Sequence, residues 1–102
     1  MTDTDEMVVD EEGGHRFRYV EDGVEAQLLY RTGPDKLILV HTEVPEELGG
    51  RGIGGQLVRA AVQRAARTGE TVLPWCPYAR RWLQQHPDEA ASVAIDWSDP
   101  PT

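Results

Sequence analysis

The stretch Leu48-Gly49-Gly50-Arg51-Gly52-Ile53-Gly54-Gly55 is where residue type and spacing in this sequence first point to chemistry. Glycine this dense lets the backbone turn tightly and present its N–H groups, and an amphipathic run starting at Ile53 adds the positive end of a helix dipole. A loop so built is a seat for phosphate or pyrophosphate. Two common versions of such a loop fail here. Gly49 to Gly54 has the spacing of a nucleoside-triphosphate loop, but Gly55-Gln56 follows where Lys and Ser or Thr must reach the phosphates and Mg²⁺. Gly50, Gly52 and Gly55 satisfy the dinucleotide pattern Gly-x-Gly-x-x-Gly. The acidic residue at about the right distance, Glu70, nevertheless precedes the next strand instead of ending it, and the chain is too short for the full dinucleotide fold. Metal chemistry has no support, because three scattered histidines and the single Cys76 lack ligand spacing.

The elements that must position this loop follow from periodicity. Arg16–Val20 alternates polar and apolar as a strand with one buried face, Glu21-Asp22-Gly23 is turn material, and Val24–Arg31 follows with Ala26, Leu28 and Tyr30 on one face. The pair predicts a β-hairpin. After a Gly33-Pro34-Asp35 turn, Lys36–Val44 reads as a third strand. Its consecutive apolar residues Leu37 to Val40 predict a central position with cover on both faces, and Pro45 ends its pairing. Ile53, Leu57, Val58, Ala61, Val62 and Ala65 recur at helical spacing as far as Arg67, with Gln56, Arg59, Gln63, Arg64 and Arg67 mostly on the other side. Gly69 supplies the left-handed residue after the helix end. Thr71–Cys76 is a short strand in which Pro74 marks an edge, a bulge or a splayed end. Pro77 opens a second helix, Tyr78 to about Gln85, closed by His86-Pro87-Asp88, and Val93-Ala94-Ile95 is a last short strand. The hairpins are antiparallel and the crossover helix makes its flanking strands parallel, so the fold class is α/β of the α+β kind, with a mixed sheet.

A chain of 102 residues supports one small domain. Its net charge of −8 is uneven: Asp3, Asp5, Glu6, Asp10, Glu11 and Glu12 have no Lys or Arg among them, and the rest carries ten basic against twelve acidic residues, a net of −2. Residues 1–12 are expected to be a solvated, partly disordered lead-in, 13–97 the domain and 98–102 a tail. Such a body is a poor partner for duplex nucleic acid. No apolar run approaches the roughly 20 residues of a membrane span, and the acidic start is unlike a signal peptide. With a lone cysteine that forms no internal disulfide, the expectation is a cytoplasmic protein, a monomer or weak homodimer, without nucleic-acid or membrane partners.

Taken in order, His41-Thr42-Glu43-Val44-Pro45, Gly50-Arg51-Gly52-Ile53-Gly54, Pro74-Trp75-Cys76-Pro77-Tyr78 and His86-Pro87-Asp88 resemble a small acetyltransferase of the GNAT superfamily. Arg16-Phe17, Asp22-Gly23, Ala26 and Tyr30-Arg31 extend the resemblance, which is narrowest to the minimal, single-domain YjdJ-like subgroup and covers about Val8 to Asp88. It implies a compact GNAT fold: antiparallel strands, then a β-α-β crossover whose strands splay apart between His41–Val44 and Leu73–Cys76, then a second helix. It also implies acetyl-CoA as co-substrate, an amine acceptor that is a small molecule or a protein amine, and no metal. The superfamily signature Arg/Gln-x-x-Gly-x-Gly/Ala falls on Gly49, Gly52 and Gly54, with Gly49 where Arg or Gln is usual. On that pattern Gly49 leads a cradle of Gly50, Arg51, Gly52, Ile53, Gly54 and Gly55 around the pyrophosphate, and Val44 lies near the pantetheine arm.

Acetyl transfer to an amine needs a deprotonated amine, a polarised carbonyl and a proton for the departing thiolate. The resemblance puts Cys76 at the mouth of the splay, as proton donor or transient acetyl acceptor; the other reading is a buried small hydrophobe. His41 and Glu43 share a strand face and are candidates for the base, Glu43 as the carboxylate GNAT enzymes often carry on this strand, while His41 also reads as a half-buried structural histidine. Tyr78 either protonates the leaving thiolate or packs. Trp75, Trp82 and Trp97 read as core or lid residues, and Arg80 and Arg81 as a solvated face or contacts to adenosine. The function expected is an acetyl-CoA-dependent N-acetyltransferase. The alternative is a CoA-binding or acyl-CoA-binding module without efficient catalysis, suggested by the minimal size and by Gly49.

Overall fold

A computed structural model describes residues 8–101. Strands β1 (Val8–Glu11), β2 (Arg16–Glu21), β3 (Val24–Gly33), β4 (Lys36–Glu43) and β5 (Thr71–Pro74) form one sheet in that order, with helix α1 (Ile53–Thr68) crossing between β4 and β5 and helices α2 (Pro77–Gln85) and α3 (Pro87–Ala90) after it. The first three pairings are antiparallel and β4–β5 is parallel, the mixed sheet the crossover predicts. Asp22 and Gly23 both take positive φ, 52° and 77°, as a two-residue hairpin loop requires, and set Phe17 opposite Leu28 and Tyr19 opposite Ala26. Phe17, Leu28, Leu37 and Leu39 are fully buried against Leu57, Val58 and Ala61 of α1 and Ala79 and Leu83 of α2 in one core. Among the described residues no helix is long and apolar enough to cross a membrane.

Four expectations change. Val8–Glu11 is not a disordered lead-in but an edge strand paired with β2. Its acids find cations elsewhere in the chain: Glu11 pairs with Arg16 at 2.9 Å and Asp10 with Arg64 at 3.0 Å. Residues 1–7 of that lead-in, and Thr102 of the tail, lie outside the described residues. The apolar run in β4 is covered on one face only: Leu37 and Leu39 are buried, whereas Ile38 and Val40 are half-buried. The opposite face over β2 and β3 carries a lattice of Arg16, Arg18, Glu25 and Gln27. His86-Pro87-Asp88 is not merely a stop, since Pro87 opens the short α3. Finally, Val93–Ile95 makes a single parallel bridge, Ile95 to Val72, instead of a strand.

Arg64, on the side of α1 away from its apolar stripe, is nevertheless buried. It is 8% exposed, with its guanidinium bonded to Glu70 at 3.0 Å, Asp10 at 3.0 Å and the Tyr30 hydroxyl at 2.8 Å. Tyr30 in turn donates to Asp10 at 2.5 Å. Burial pushes the Tyr30 hydroxyl up, and its hydrogen bond to Asp10 pushes it further. A buried guanidinium is tolerated when its donors are satisfied, and here β1, β3 and the turn before β5 each contribute a partner.

Two features of the sheet prepare the site. In β3–β4 the register slips by one: Leu29 faces His41 but Tyr30 faces Leu39, leaving Val40 as an extra residue. Such a bulge bends its strand and reverses which side chains face inward beyond it. In addition, β5 stops pairing with β4 at Leu39–Pro74, while β4 runs on to Glu43. Pro74, with no N–H and with only the Ile95 bridge on its strand's far side, is where the ladder can end.

Candidate active site

Where β4 and β5 part, an open cleft of about 360 Å³ is lined by Thr42, Val44, Pro45, Glu46, Leu48, Gly49, Gly50, Gly52, Ile53, Gly54 and Tyr78. It joins the end of β4, the glycine loop, the start of α1 and the start of α2. Of the residues expected to bind a cofactor, Val44, Gly49, Gly50, Gly52, Ile53 and Gly54 lie on it, and Arg51 and Gly55 do not.

The glycines do different work. Gly50 and Gly52 sit in the left-handed region at φ 76° and 73°, where a side chain is strained, and a Cβ on either would meet nothing within 4 Å. They shape the loop and keep its cleft side bare. Gly49 is at φ −65°, its N–H bonds to the Glu46 carbonyl at 3.0 Å, and a Cβ there would come 3.1 Å from that same oxygen. The Arg or Gln usual at this position would therefore crowd the turn Glu46–Leu48, which gives the departure a local reason. Gly54 and Gly55 let α2 approach: added Cβ atoms would fall 2.6 Å from the Tyr78 hydroxyl and 2.4 Å from the Trp82 indole nitrogen. Trp82 thus covers Gly55 and keeps it from the cleft. Gly52 caps α1 without a side chain, and the first intrahelical bond is Gln56 N–H to the Gly52 carbonyl at 3.1 Å, so the N–H groups of Ile53, Gly54 and Gly55 have no partner within the helix. Two bare left-handed glycines before a helix start, with the apolar Val44, Leu48 and Ile53 beside them, fit an anionic group carrying an apolar arm.

Cys76 caps α2 and is 3% exposed. Its N–H donates to the Leu39 carbonyl at 2.9 Å, and its Sγ lies 3.2 Å from the hydroxyl of Thr42, which lines the cleft. The thiol therefore sits where the strands separate. Tyr78, the second residue of α2, is 44% exposed and stands at the cleft wall. Burial pushes its hydroxyl up, and a charge on Cys76 would push it further. Hence Thr42, Cys76 and Tyr78 gather at one corner, although Thr42 was not among the residues singled out from sequence. Because Val40 is bulged, Thr42 instead of His41 turns toward the helices; no pattern in the sequence marks that reversal.

His41 and Glu43 do share a face, as alternation predicts, with Nε2 and Oε1 3.2 Å apart. That face is the open one: Glu43 also accepts a hydrogen bond from Gln27 at 3.0 Å, both side chains are 56% exposed, and neither lines the cleft. Arg51 points to Glu21 at the end of β2, with which it forms an ion pair. A hydrogen bond from Tyr19 at 2.6 Å, and then Arg51, hold the Glu21 carboxyl below its ordinary range. Arg80 is turned to the Trp97 carbonyl and Asp99, away from any role at the cleft. Among the described residues no group of His, Cys, Asp or Glu is placed to hold a metal ion.

A mixed α+β sheet with a crossover helix, a bare glycine turn at its start and strands that part beside it is a GNAT fold. Residues 16–93 match the family described as GCN5-related N-acetyl-transferase, and the chain belongs to that family. An acyltransferase type of function comes with it. No curated protein matches the chain.

Proposed function

We propose that this chain is an N-acetyltransferase that moves an acetyl group from acetyl-CoA to an amine by direct transfer in a ternary complex. The observation that carries the reading is the cleft, with unpaired backbone donors at one end and parted strands beside a thiol and a phenol at the other. Gly50, Gly52, Ile53 and Gly54 would hold the pyrophosphate through backbone N–H groups and the positive end of α1. Val44 and Leu48 offer the apolar wall a pantetheine arm needs. When bound, acetyl-CoA supplies the thioester whose carbonyl the amine attacks.

The chain's own residues then have three tasks. Glu43, with His41 3.2 Å away, lies outside the cleft on the open face of β4, so it would take the proton of an acceptor ammonium there, before the free amine enters the gap between β4 and β5. The backbone of β4 beyond Leu39, free of a β5 partner, faces the developing oxyanion. Tyr78, a protonated phenol on the cleft wall, serves the departing thiolate together with the Cys76 thiol. Calorimetric titration with acetyl-CoA and CoA, run beside a thiol-release assay over small amines and lysine peptides, tests the reading. Binding with release above the blank is expected. No binding of either ligand overturns it, and tight binding without release across the panel assigns a binding module instead.

A further inference from the structure

We infer that Glu21 is a positioning residue for the glycine loop, holding the Gly50–Gly52 backbone through Arg51 in the shape that receives a pyrophosphate. This rests on the cofactor reading above. Between the Gly49 N–H bond to Glu46 and the Gln56 N–H bond to Gly52, the segment Gly50-Arg51-Gly52 donates no backbone hydrogen bond among the described residues. Two of its three residues are left-handed glycines, the type that gives up most conformational freedom when ordered. Backbone hydrogen bonds therefore fix this turn only at its two ends, through the Gly49 N–H and the Gly52 carbonyl. Its one side chain reaches out of the cleft to Glu21, 30 residues earlier in the chain.

Glu21 is a firm anchor for a local reason. It ends β2 at the hairpin loop, and it accepts a 2.6 Å hydrogen bond from Tyr19, which is 4% exposed in the core. A line of fixed contacts thus runs from the core through Tyr19 and Glu21 to Arg51 and the turn. Because Arg51 is drawn outward, the backbone donors of the turn are left to the cleft without a side chain across them. Ordering the turn before the ligand arrives removes an entropy cost from binding. The geometry also allows an opposite arrangement, in which Glu21 competes with a phosphate for Arg51; the two differ in the sign of one measurement.

The test is the CoA dissociation constant of the full chain and of Glu21→Gln, Arg51→Gln and the double variant, with urea midpoints alongside. Each single change is expected to weaken CoA binding about three- to tenfold, the double to be no worse than either single, and the urea midpoints to stay put because Arg51 is half exposed and Gln at position 21 still offers an oxygen to the Tyr19 hydroxyl. Exchanging the charges, Glu21→Arg with Arg51→Glu, should recover part of the lost affinity, which a merely structural role would not give. Unchanged affinity in Glu21→Gln would overturn the tether alone, and tighter binding would replace it with competition for Arg51. Failure of the unaltered chain to bind CoA would overturn the cofactor reading and this inference with it.

Discussion

Helix α1 is finished in opposite ways at its two ends. At its start the backbone donors of Ile53 and Gly54, which line the cleft, lack helical partners, the cap is a bare glycine, and the preceding turn is tied to the end of β2 by the Arg51–Glu21 ion pair. Toward its end Arg64 is buried among Asp10, Tyr30 and Glu70, and Gly69 closes the helix with an N–H bond to Ala65 at 2.8 Å. Unmade hydrogen bonds at a solvent-facing cleft cost little, because water fills them until an anion arrives; the same vacancy inside the core would cost about 1–3 kcal/mol per group. The difference separates a region built to bind from one built to hold.

That contrast can be broken from either side. The largest effect belongs to the closed end: Arg64→Leu should destabilise the fold by about 3–5 kcal/mol, since it leaves Asp10 and Glu70 without their cation. A urea midpoint within error of the unaltered chain would show that the network is not what joins β1 to α1. At the open end, Tyr78→Phe should lower kcat by about 100-fold with little change in CoA affinity, as expected for loss of a proton donor. Equal loss in kcat and in affinity would make Tyr78 a wall and not a donor. Gly52→Val should raise the CoA dissociation constant about tenfold or more, because a β-branched residue resists φ 73°. Retained affinity would contradict the proposed seat.

The smallest effect is a pH dependence read at the closed end through Glu70. Burial pushes the Glu70 carboxyl up, but hydrogen bonds from Arg64 and Thr68 prevail and hold it below its ordinary range. A carboxylate lowered in the folded state contributes stability above its unfolded pKa, about 4.3, and loses it as pH falls through the folded value. Urea midpoints taken between pH 6 and 3 should therefore fall less steeply for Glu70→Gln than for the unaltered chain. Parallel curves would show that the pair with Arg64 does not feed the acid limb.

Much of this was legible along the chain, and the parts that were not share a cause. The hairpins, the crossover helix and its glycine ends follow from local rules: positive φ at Asp22, Gly23 and Gly69, and a helical period from Ile53. The cleft's glycines were visible for the same reason. Helical phase puts Arg64 on the side away from the apolar stripe, but it does not say whether acids from β1 and the turn before β5 will meet it there. Likewise, alternation paired His41 with Glu43 correctly and could not say on which face, because the bulge at Val40 is set by pairing with β3. Gly54 and Gly55 read as loop-like from composition, yet each is small so that α2 can lie against α1.

By itself the sequence determined the kinds of element, their order, and a glycine turn ahead of a helix, because these depend on φ, on capping and on periods of two and 3.6. Only the tertiary structure decided what that turn faces. It brought Thr42 and Cys76 within 3.2 Å, sent His41 and Glu43 to the open face, and tied Arg51 to Glu21. Those outcomes depend on one extra residue in β4, on where β5 stops, and on residues far apart in the chain meeting, none of which a local pattern encodes.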